Sequence, residues 1–359
     1  MSRVPLFVTS LAAHHEGLVE ALARVVATER FILGPEVQAF EEEFAAYLGV
    51  RHCVGVANGT DALAIALRAL GVERGDEVVV PSFTFYATAE AVAAIGARPV
   101  FCDVDPETFC VTRETVETAM TAGTKAVVPV HLFGNVAPVP DLRDLGVPVL
   151  EDAAQAAGAA LDGNMAGGLG DAATFSFFPS KNLPCLGDGG AVVTDDDEAA
   201  ERVRRLRFHG SEDKETFVDI GYNSRLDALQ AAALRVLLPE LDGWNAARRD
   251  VAAEYERGGL GEHVALPRVV DGAQHAYHLY VVRHERPDEL AAALAERGVQ
   301  ARGYYRRPTH RQPAMAAFGG GADLPGTDEA ARTHLALPMG PLLTQDQAQD
   351  VIAACAPVP

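Results

Sequence analysis

Long apolar runs are missing from this chain. No stretch reaches the roughly 20 consecutive apolar residues that a membrane-spanning helix requires. Positive charge is scarce too. Thirty Lys and Arg stand against 50 Asp and Glu, a formal net charge of −20 at neutral pH. Such an excess opposes any general affinity for the phosphates of nucleic acid, although a local basic pocket could still hold a diphosphate. Cysteine is limited to five scattered residues, Cys53, Cys102, Cys110, Cys185 and Cys355, with no CxxC pair. An odd, dispersed set of this kind fits the reduced thiols of a cytoplasmic protein better than a disulfide framework or a zinc site. Met1–Ser10 carries one Arg, no sustained apolar run and no small-residue cleavage site, so no secretory leader is expected there. No GxGxxG turn follows the first predicted strand, which counts against a nicotinamide dehydrogenase on a doubly wound sheet.

What is present is a 359-residue chain, 48% apolar and 22% charged, long enough for a large core and of a length that suggests two domains. Short apolar runs alternate with helical patterns over the first two-thirds, which predicts a mainly parallel sheet. His15–Glu29 sets Leu18, Leu22, Val25 and Val26 on one helical face. Pro35 opens a second helix whose apolar face is Val37, Phe40, Phe44 and Leu48, and Gly49 closes it. Strands are expected at His52–Val56, Glu77–Pro81, Pro99–Val104, Ala126–His131 and Val147–Glu151, with helices at Thr60–Leu70 and Thr84–Ile95. Gly158–Gly170 reads as a loop or tight hairpin before strands at Ala173–Phe178 and Ala191–Thr194. A long helical stretch from Leu226 to Arg257, broken near Pro239, leads into a smaller α+β region. Its elements are a strand at Tyr277–Arg283, a helix at Asp288–Glu296, a strand at Val299–Tyr305 and a helix at Gln345–Ala354.

Three segments hold residues with chemical potential. Asn58-Gly59-Thr60-Asp61 joins a strand to a helix. Its free amides could cradle a phosphate, or it is an ordinary N-cap. Glu151-Asp152-Ala153-Ala154-Gln155 puts two acids at the carboxyl end of an apolar strand, where open α/β sheets place ligands. In Phe175-Ser176-Phe177-Phe178-Pro179-Ser180-Lys181-Asn182 a lysine sits just past an apolar strand. Most lysines are solvated surface charges, but one that is partly buried has a lowered pKa and can act as a nucleophile toward carbonyls. Lone histidines such as His131, His209 and His278 are read as structural, and Cys102 and Cys110 as packing residues.

Taken together, NGTDAL, PSFTFYATAE, PVHLFG, EDAAQAAGA, FSFFPSKN, GDGGAVVT and GYNSRLDALQAA, in that order, resemble the sugar aminotransferases of the DegT/DnrJ/EryC1/StrS family. The resemblance runs from FILGPEV at Phe31 to THRQPAM and LALPMGPL, nearly the whole chain. It implies an α/β protein of the pyridoxal-phosphate-dependent fold type I, like aspartate aminotransferase. A large domain at 15–238 would hold a mainly parallel seven-stranded sheet, and 1–14 with 239–359 would form a small domain.

The implied cofactor is pyridoxal 5'-phosphate. Lys181 would hold it covalently and move a proton between cofactor and substrate carbons, and Asp152 would pair with the pyridine nitrogen. Gln155 would sit near the ring's 3-oxygen and Phe85 would stack on the ring. Gly59, Thr60 and Ser176 would hold the phosphate, and Asn223 would reach the phosphate of a neighbouring subunit in a homodimer. A lysine at position 181 favours transamination, since dehydrating relatives carry histidine there, and a cofactor-free regulator would have no use for these residues together.

The expected reaction is amination of a nucleotide-linked keto-sugar with L-glutamate or L-glutamine as donor. FFPSKN followed by GDGG suggests a 3-keto-6-deoxy sugar on thymidine diphosphate, with a 4-keto sugar or a keto-inositol as alternatives. The chain departs from the family at Tyr304-Tyr305-Arg306-Arg307-Pro308-Thr309-His310, where His-Tyr-Pro is common, and at Pro184, where glycine is commoner. The first segment often lines the substrate site, which makes Tyr305, Arg306 and His310 candidate substrate contacts. Arg306 and Arg307 would serve there as diphosphate ligands or as solvated loop charges.

Overall fold

The computed structural model describes residues 4–8 and 11–356; the remaining ends of the expected small domain and of the Met1–Ser10 segment lie outside them. Two helices come first. α1 (His15–Thr28) buries Leu18, Ala21 and Val25, while Val26, expected on the same face, is exposed. In α2 (Pro35–Leu48) Pro35 stands in the first turn and Gly49 terminates the helix at φ +74°, a conformation glycine adopts without penalty. Its buried face is the expected one, Val37, Phe40, Phe44 and Leu48.

A mixed sheet follows, built from β1 (His52–Val56), β2 (Glu77–Pro81), β3 (Arg98–Cys102), β4 (Thr124–Val127) and β5 (Leu150–Asp152). A tight hairpin, β6 (Ala160–Leu161) and β7 (Asn164–Met165), precedes the last two strands, β8 (Ala172–Ser176) and β9 (Gly190–Thr194). One set runs β1-β9-β8-β5 and the other β3-β2-β4, and parallel bridges Val127–Val149 and Val130–Asp152 join β4 to β5. The seven strands are parallel except β9, which runs antiparallel to both β1 and β8. Strands such as Val78-Val79-Val80 are buried on both faces, as helix-covered parallel sheets require. The covering helices are α3 (Gly59–Ala69), α4 (Ala87–Ala94), α5 (Arg113–Ala119) and α6 (Asp197–Leu206). α4 starts three residues later than its pattern suggested, leaving Thr84–Tyr86 as a turn at the strand edge.

The break at Pro239 is present. α7 (Ala228–Leu237) and α8 (Leu241–Arg257) are joined by a 3-10 turn at Leu238–Glu240. Beyond a two-residue strand β10 (Ala273–Gln274), β11 (Tyr280–Arg283) pairs antiparallel with β12 (His334–Leu337). α9 (Pro287–Glu296), α10 (Pro325–Thr333) and α11 (Gln345–Cys355) complete this part. The strand expected at Val299–Tyr305 does not form. Only Val299 and Arg302 make single bridges, to Val4 and Ala336, and Tyr305 takes a left-handed φ of +68°, which no strand accommodates. Among the described residues no helix is long and apolar enough to cross a membrane.

The edge that matters is fixed by a buried acid. Glu151 is fully buried, and its carboxylate accepts from the Gly167, Leu169 and Gly170 amides at 2.7–2.8 Å. His131 Nδ1 accepts from the Ala137 amide, so its Nε2 carries the proton and donates to Glu151 at 2.8 Å. His131 is therefore a structural histidine that ties β5 to the loop beyond β4. Glu151→Ala strands three backbone donors and one ring donor, which should lower unfolding free energy by about 3–5 kcal/mol in urea titration. Glu151→Gln should lose less, because its carboxamide oxygen still accepts.

Candidate active site

Because β1, β5 and β8 point the same way, their carboxyl ends open on one edge of the sheet, where side chains from distant segments meet. Neighbours on a strand face opposite sides. On β8, Phe175 packs edge-on against Phe44 of α2 at 5.0 Å, while Ser176 faces the start of α3. On β5 the same alternation sends Glu151 into its structural network and Asp152 toward α4.

The start of α3 is a cradle. Asn58 caps it through Oδ1, which accepts from the Asp61 amide at 2.8 Å. The Gly59 and Thr60 amides, first in the helix, have no partner within it. A Cβ at Gly59 would come 2.7 Å from Ser176 Cβ, and one at Gly190 would come 2.5 Å from the Asn58 carbonyl. Only glycine lets three strand ends converge this closely. The two free amides and the Ser176 hydroxyl fit a phosphate at a helix N-terminus.

Asp152 is 5% exposed. Burial pushes its carboxyl pKa up, against the hydrogen bond from Thr88 Oγ1 at 2.8 Å, the Ala154 amide and the charge of Lys181. Lys181 lies beyond β8 and makes no ion pair within 4.0 Å among the described residues. Desolvation lowers its pKa to about 8, while Asp152 pulls the other way. The chain has only three lysines, and the other two, Lys125 and Lys214, are exposed.

Aromatic walls complete the site. Phe85, 56% exposed, presents its ring in the turn before α4, 6.2 Å from Tyr305. Tyr305 stacks on Phe133 at 6.1 Å, both residues with positive φ (+68° and +60°). Gln155 accepts from the Phe133 amide at 2.8 Å and donates to the Tyr305 hydroxyl at 3.2 Å. Lys181, Asp152, Gln155 and Tyr305 thus belong to one constellation, and the Gly59, Thr60 and Ser176 cradle opens at the carboxyl ends of β1 and β8 on the same sheet edge. This donor set fits a flat cationic ring carrying a phosphate: a buried acid for the ring, a recessed amine and an amide cradle.

Other candidates are engaged elsewhere. Arg306 donates to Asp288 of α9 at 2.9 Å and to the Ala331 carbonyl. Arg307 is exposed. His310 is buried with Nδ1 2.5 Å from Ser82 Oγ. Asn223 is exposed and accepts from Arg225. Two groups escaped the sequence reading. Thr88 lies in an alanine-rich helix that reads as packing. Asn182, next to the lysine, donates to Asn245 at 2.8 Å and to the Ala276 carbonyl at 2.9 Å, and faces His278 Nδ1 at 3.2 Å. The five cysteines are all buried and unpaired.

Comparison with known proteins agrees with this geometry. The model of the DegT/DnrJ/EryC1/StrS aminotransferase family matches residues 13–356. The dTDP-3-amino-3,4,6-trideoxy-alpha-D-glucose transaminase of Streptomyces venezuelae is 46% identical over 361 residues, spanning 98% of this chain and 95% of that protein. A protein of Geobacillus stearothermophilus named a pleiotropic regulatory protein is also 46% identical, over 93% of this chain and 92% of its own. The crystal structure of S. venezuelae DesV in complex with a ketimine intermediate superposes with a TM-score of 0.94 at 45% identity, covering 99% of this chain and 98% of that one.

The pKa of Lys181 gives a pH dependence. The neutral amine, the form that attacks a carbonyl, is the minor form below pH about 8 and the major form above it. In cofactor-free protein, the rate at which added pyridoxal phosphate attaches should therefore climb through that pH and level off. A rate that still rises steeply beyond pH 10 would mean an unshifted, solvated lysine.

Proposed function

This chain belongs to the DegT/DnrJ/EryC1/StrS aminotransferase family, and from that premise we propose that it transfers an amino group from L-glutamate or L-glutamine to a nucleotide-linked keto-sugar. It is a pyridoxal-phosphate-dependent aminotransferase of fold type I. The observation that carries the residue assignment is the recessed Lys181 beside the buried Asp152.

Bound pyridoxal phosphate supplies an electron sink for the charge left when a substrate carbon loses its proton. In this reading Asp152, held by Thr88, keeps a proton on the ring nitrogen. Lys181 is the covalent anchor and the group that carries protons between carbon atoms, a task that suits an amine with a pKa near the working pH. Gln155, itself fixed by the Phe133 amide, orients the ring oxygen. Phe85 covers one face of the ring, and Gly59, Thr60 and Ser176 bind the phosphate.

Support for a nucleotide-linked substrate comes from the 208–225 segment. It carries a recess of about 590 Å³ lined by Phe208, His209, Lys214, Phe217 and Arg225. Lys214 and Arg225 lie over the Phe208 ring at 5.1 and 5.6 Å. Aromatic faces beside two cations suit a base and a diphosphate. Phe217, Val218 and Ile220 are 60–88% exposed, as an arm that covers a second copy would be. We therefore read the enzyme as a homodimer in which Asn223 serves the partner's phosphate. Relatives named dTDP-3-amino-3,4,6-trideoxy-alpha-D-glucose transaminase and dTDP-3-amino-3,6-dideoxy-alpha-D-galactopyranose transaminase support a 3-keto-6-deoxy sugar on thymidine diphosphate. One named for UDP-2-acetamido-2-deoxy-3-oxo-D-glucuronate supports the 3-position alone. A separate small domain is supported by a core drawn from Val4 and from Val251 onward, while Leu241 and Trp244 at the start of α8 still pack in the large core. Five buried free thiols support a cytoplasmic setting.

Three outcomes test this reading. Purified protein with pyridoxal phosphate should show a band near ~420 nm that falls toward ~330 nm on L-glutamate, and Lys181→Ala should show no stable band. A protein that never attaches the cofactor ends the residue assignment. Lys214→Ala should weaken thymidine diphosphate binding about tenfold in calorimetry, with a shallower salt dependence. Unfolding and refolding together equal amounts of Lys181→Ala and Asn223→Ala chains should restore about a quarter of wild-type activity, since half the dimers are mixed and one site in each is intact. Failure to recover any activity would argue for sites built within single chains.

A further inference from the structure

Arg248 is a buried cation with no acid to balance it. It lies on α8, is 6% exposed, and donates through Nη1 to the Tyr277 carbonyl at 3.1 Å. Its Nε–H meets no acceptor, and no carboxylate lies within 4.0 Å of it among the described residues. None of the side chains outside those residues is acidic. Buried charges in folded proteins are otherwise paired, so an orphaned guanidinium marks a place where an anion belongs. Desolvation alone lowers its pKa, to about 10, with no opposing carboxylate.

Its surroundings identify the anion. Arg248 and Lys181 line one recess of about 20 Å³, together with Asn182, Trp244, Phe7 and Val8. The nearby histidine adds no negative charge. Asn182 uses its amide nitrogen on Asn245 and Ala276, so its oxygen faces His278 and fixes the Nδ1–H tautomer. Burial and the charges of Lys181 and Arg248 hold His278 neutral. The backbone bonded to Arg248 is itself strained, with Tyr277 at φ +44°. The recess thus presents two cations and no acid, with a neutral His278 behind its Asn182 wall, while Asp152 is committed to Thr88.

We propose that Arg248 receives a carboxylate of the amino-acid donor as the donor's amino group takes the place of the Lys181 amine on the cofactor, leaving Lys181 as a free amine. The inference rests on the amino-acid donor reading above. A recess of this size admits about one water, hence one carboxylate oxygen, and leaves the donor's carbon chain on the cofactor side of Lys181. Arg248 is then the residue that distinguishes an amino acid from other amines, and the keto-sugar, which lacks the carboxylate, reacts without it.

Holoenzyme in wild-type, Arg248→Met and Arg248→Lys forms tests this. Glutarate, a dicarboxylate with no amine, should raise the melting temperature of wild type but not of Arg248→Met. The L-glutamate concentration that half-saturates loss of the ~420 nm band should rise about tenfold or more in Arg248→Met, and less in Arg248→Lys. The rate of band loss with hydroxylamine, which needs no carboxylate contact, should stay within about twofold. Equal slowing with glutamate and hydroxylamine would make Arg248 a packing residue and overturn the assignment, as would an unchanged glutamate response. If Arg248→Met does not fold, Arg248→Lys alone decides, since it keeps the charge and shortens the reach. A wild-type band that responds to neither L-glutamate nor L-glutamine removes the donor reading and this site with it, an outcome visible before any variant is made.

Discussion

A carboxylate and an amine, both withdrawn from water at the same sheet edge, are the constraint to which the rest of this molecule answers. Burial acts on the two in opposite directions. It raises the pKa of Asp152 and lowers that of Lys181, and each group's charge partly offsets the penalty on the other. A balance of that kind survives only if neither side chain can swing into solvent. Thr88 pins one oxygen of Asp152, and the hydrogen bonds of Asn182 hold the chain immediately after Lys181. One position earlier on β5, Glu151 turns to the other face and secures the loop beyond it, so adjacent acids do unrelated work.

Much of this was legible in the sequence, for identifiable reasons. Parallel strands buried on both faces write themselves as β-branched runs, and β1 and β2 fall where those runs lie. Pro35 and Gly49 mark α2, and Pro239 marks the break between α7 and α8. What escaped depends on tertiary neighbours. Tyr304-Tyr305 has the composition of a strand, yet Tyr305 is drawn out of extended backbone to stack on Phe133. Val26 fits the helical period but stays 56% exposed.

The site was legible to a different depth. Residues proposed to serve the cofactor sit in short motifs with restrictive geometry, such as Gly59, which tolerates no side chain beside Ser176. Arg248 carries no such signature. On a helix rich in charged residues it reads as one more solvated cation, and only the absence of an acid around it sets it apart. Arg306 gives the converse case: a cation in a segment that suggests ligand binding, spent on Asp288.

The strand order has a kinetic meaning. β1 pairs with β9, His52 opposite Thr194, and the helix-bearing chain between them supplies the other five strands of the same sheet. Contacts so distant along the chain close late and slowly during folding. The cradle at the start of α3 spans that closure, since Asn58 and Gly59 follow β1 while Ser176 and Gly190 belong to β8 and β9. A partly folded chain therefore has no place to hold its cofactor. If this cradle holds the cofactor phosphate as proposed, binding requires β1, β8 and β9 to be in register, and the cofactor would then act as a clasp on a finished sheet.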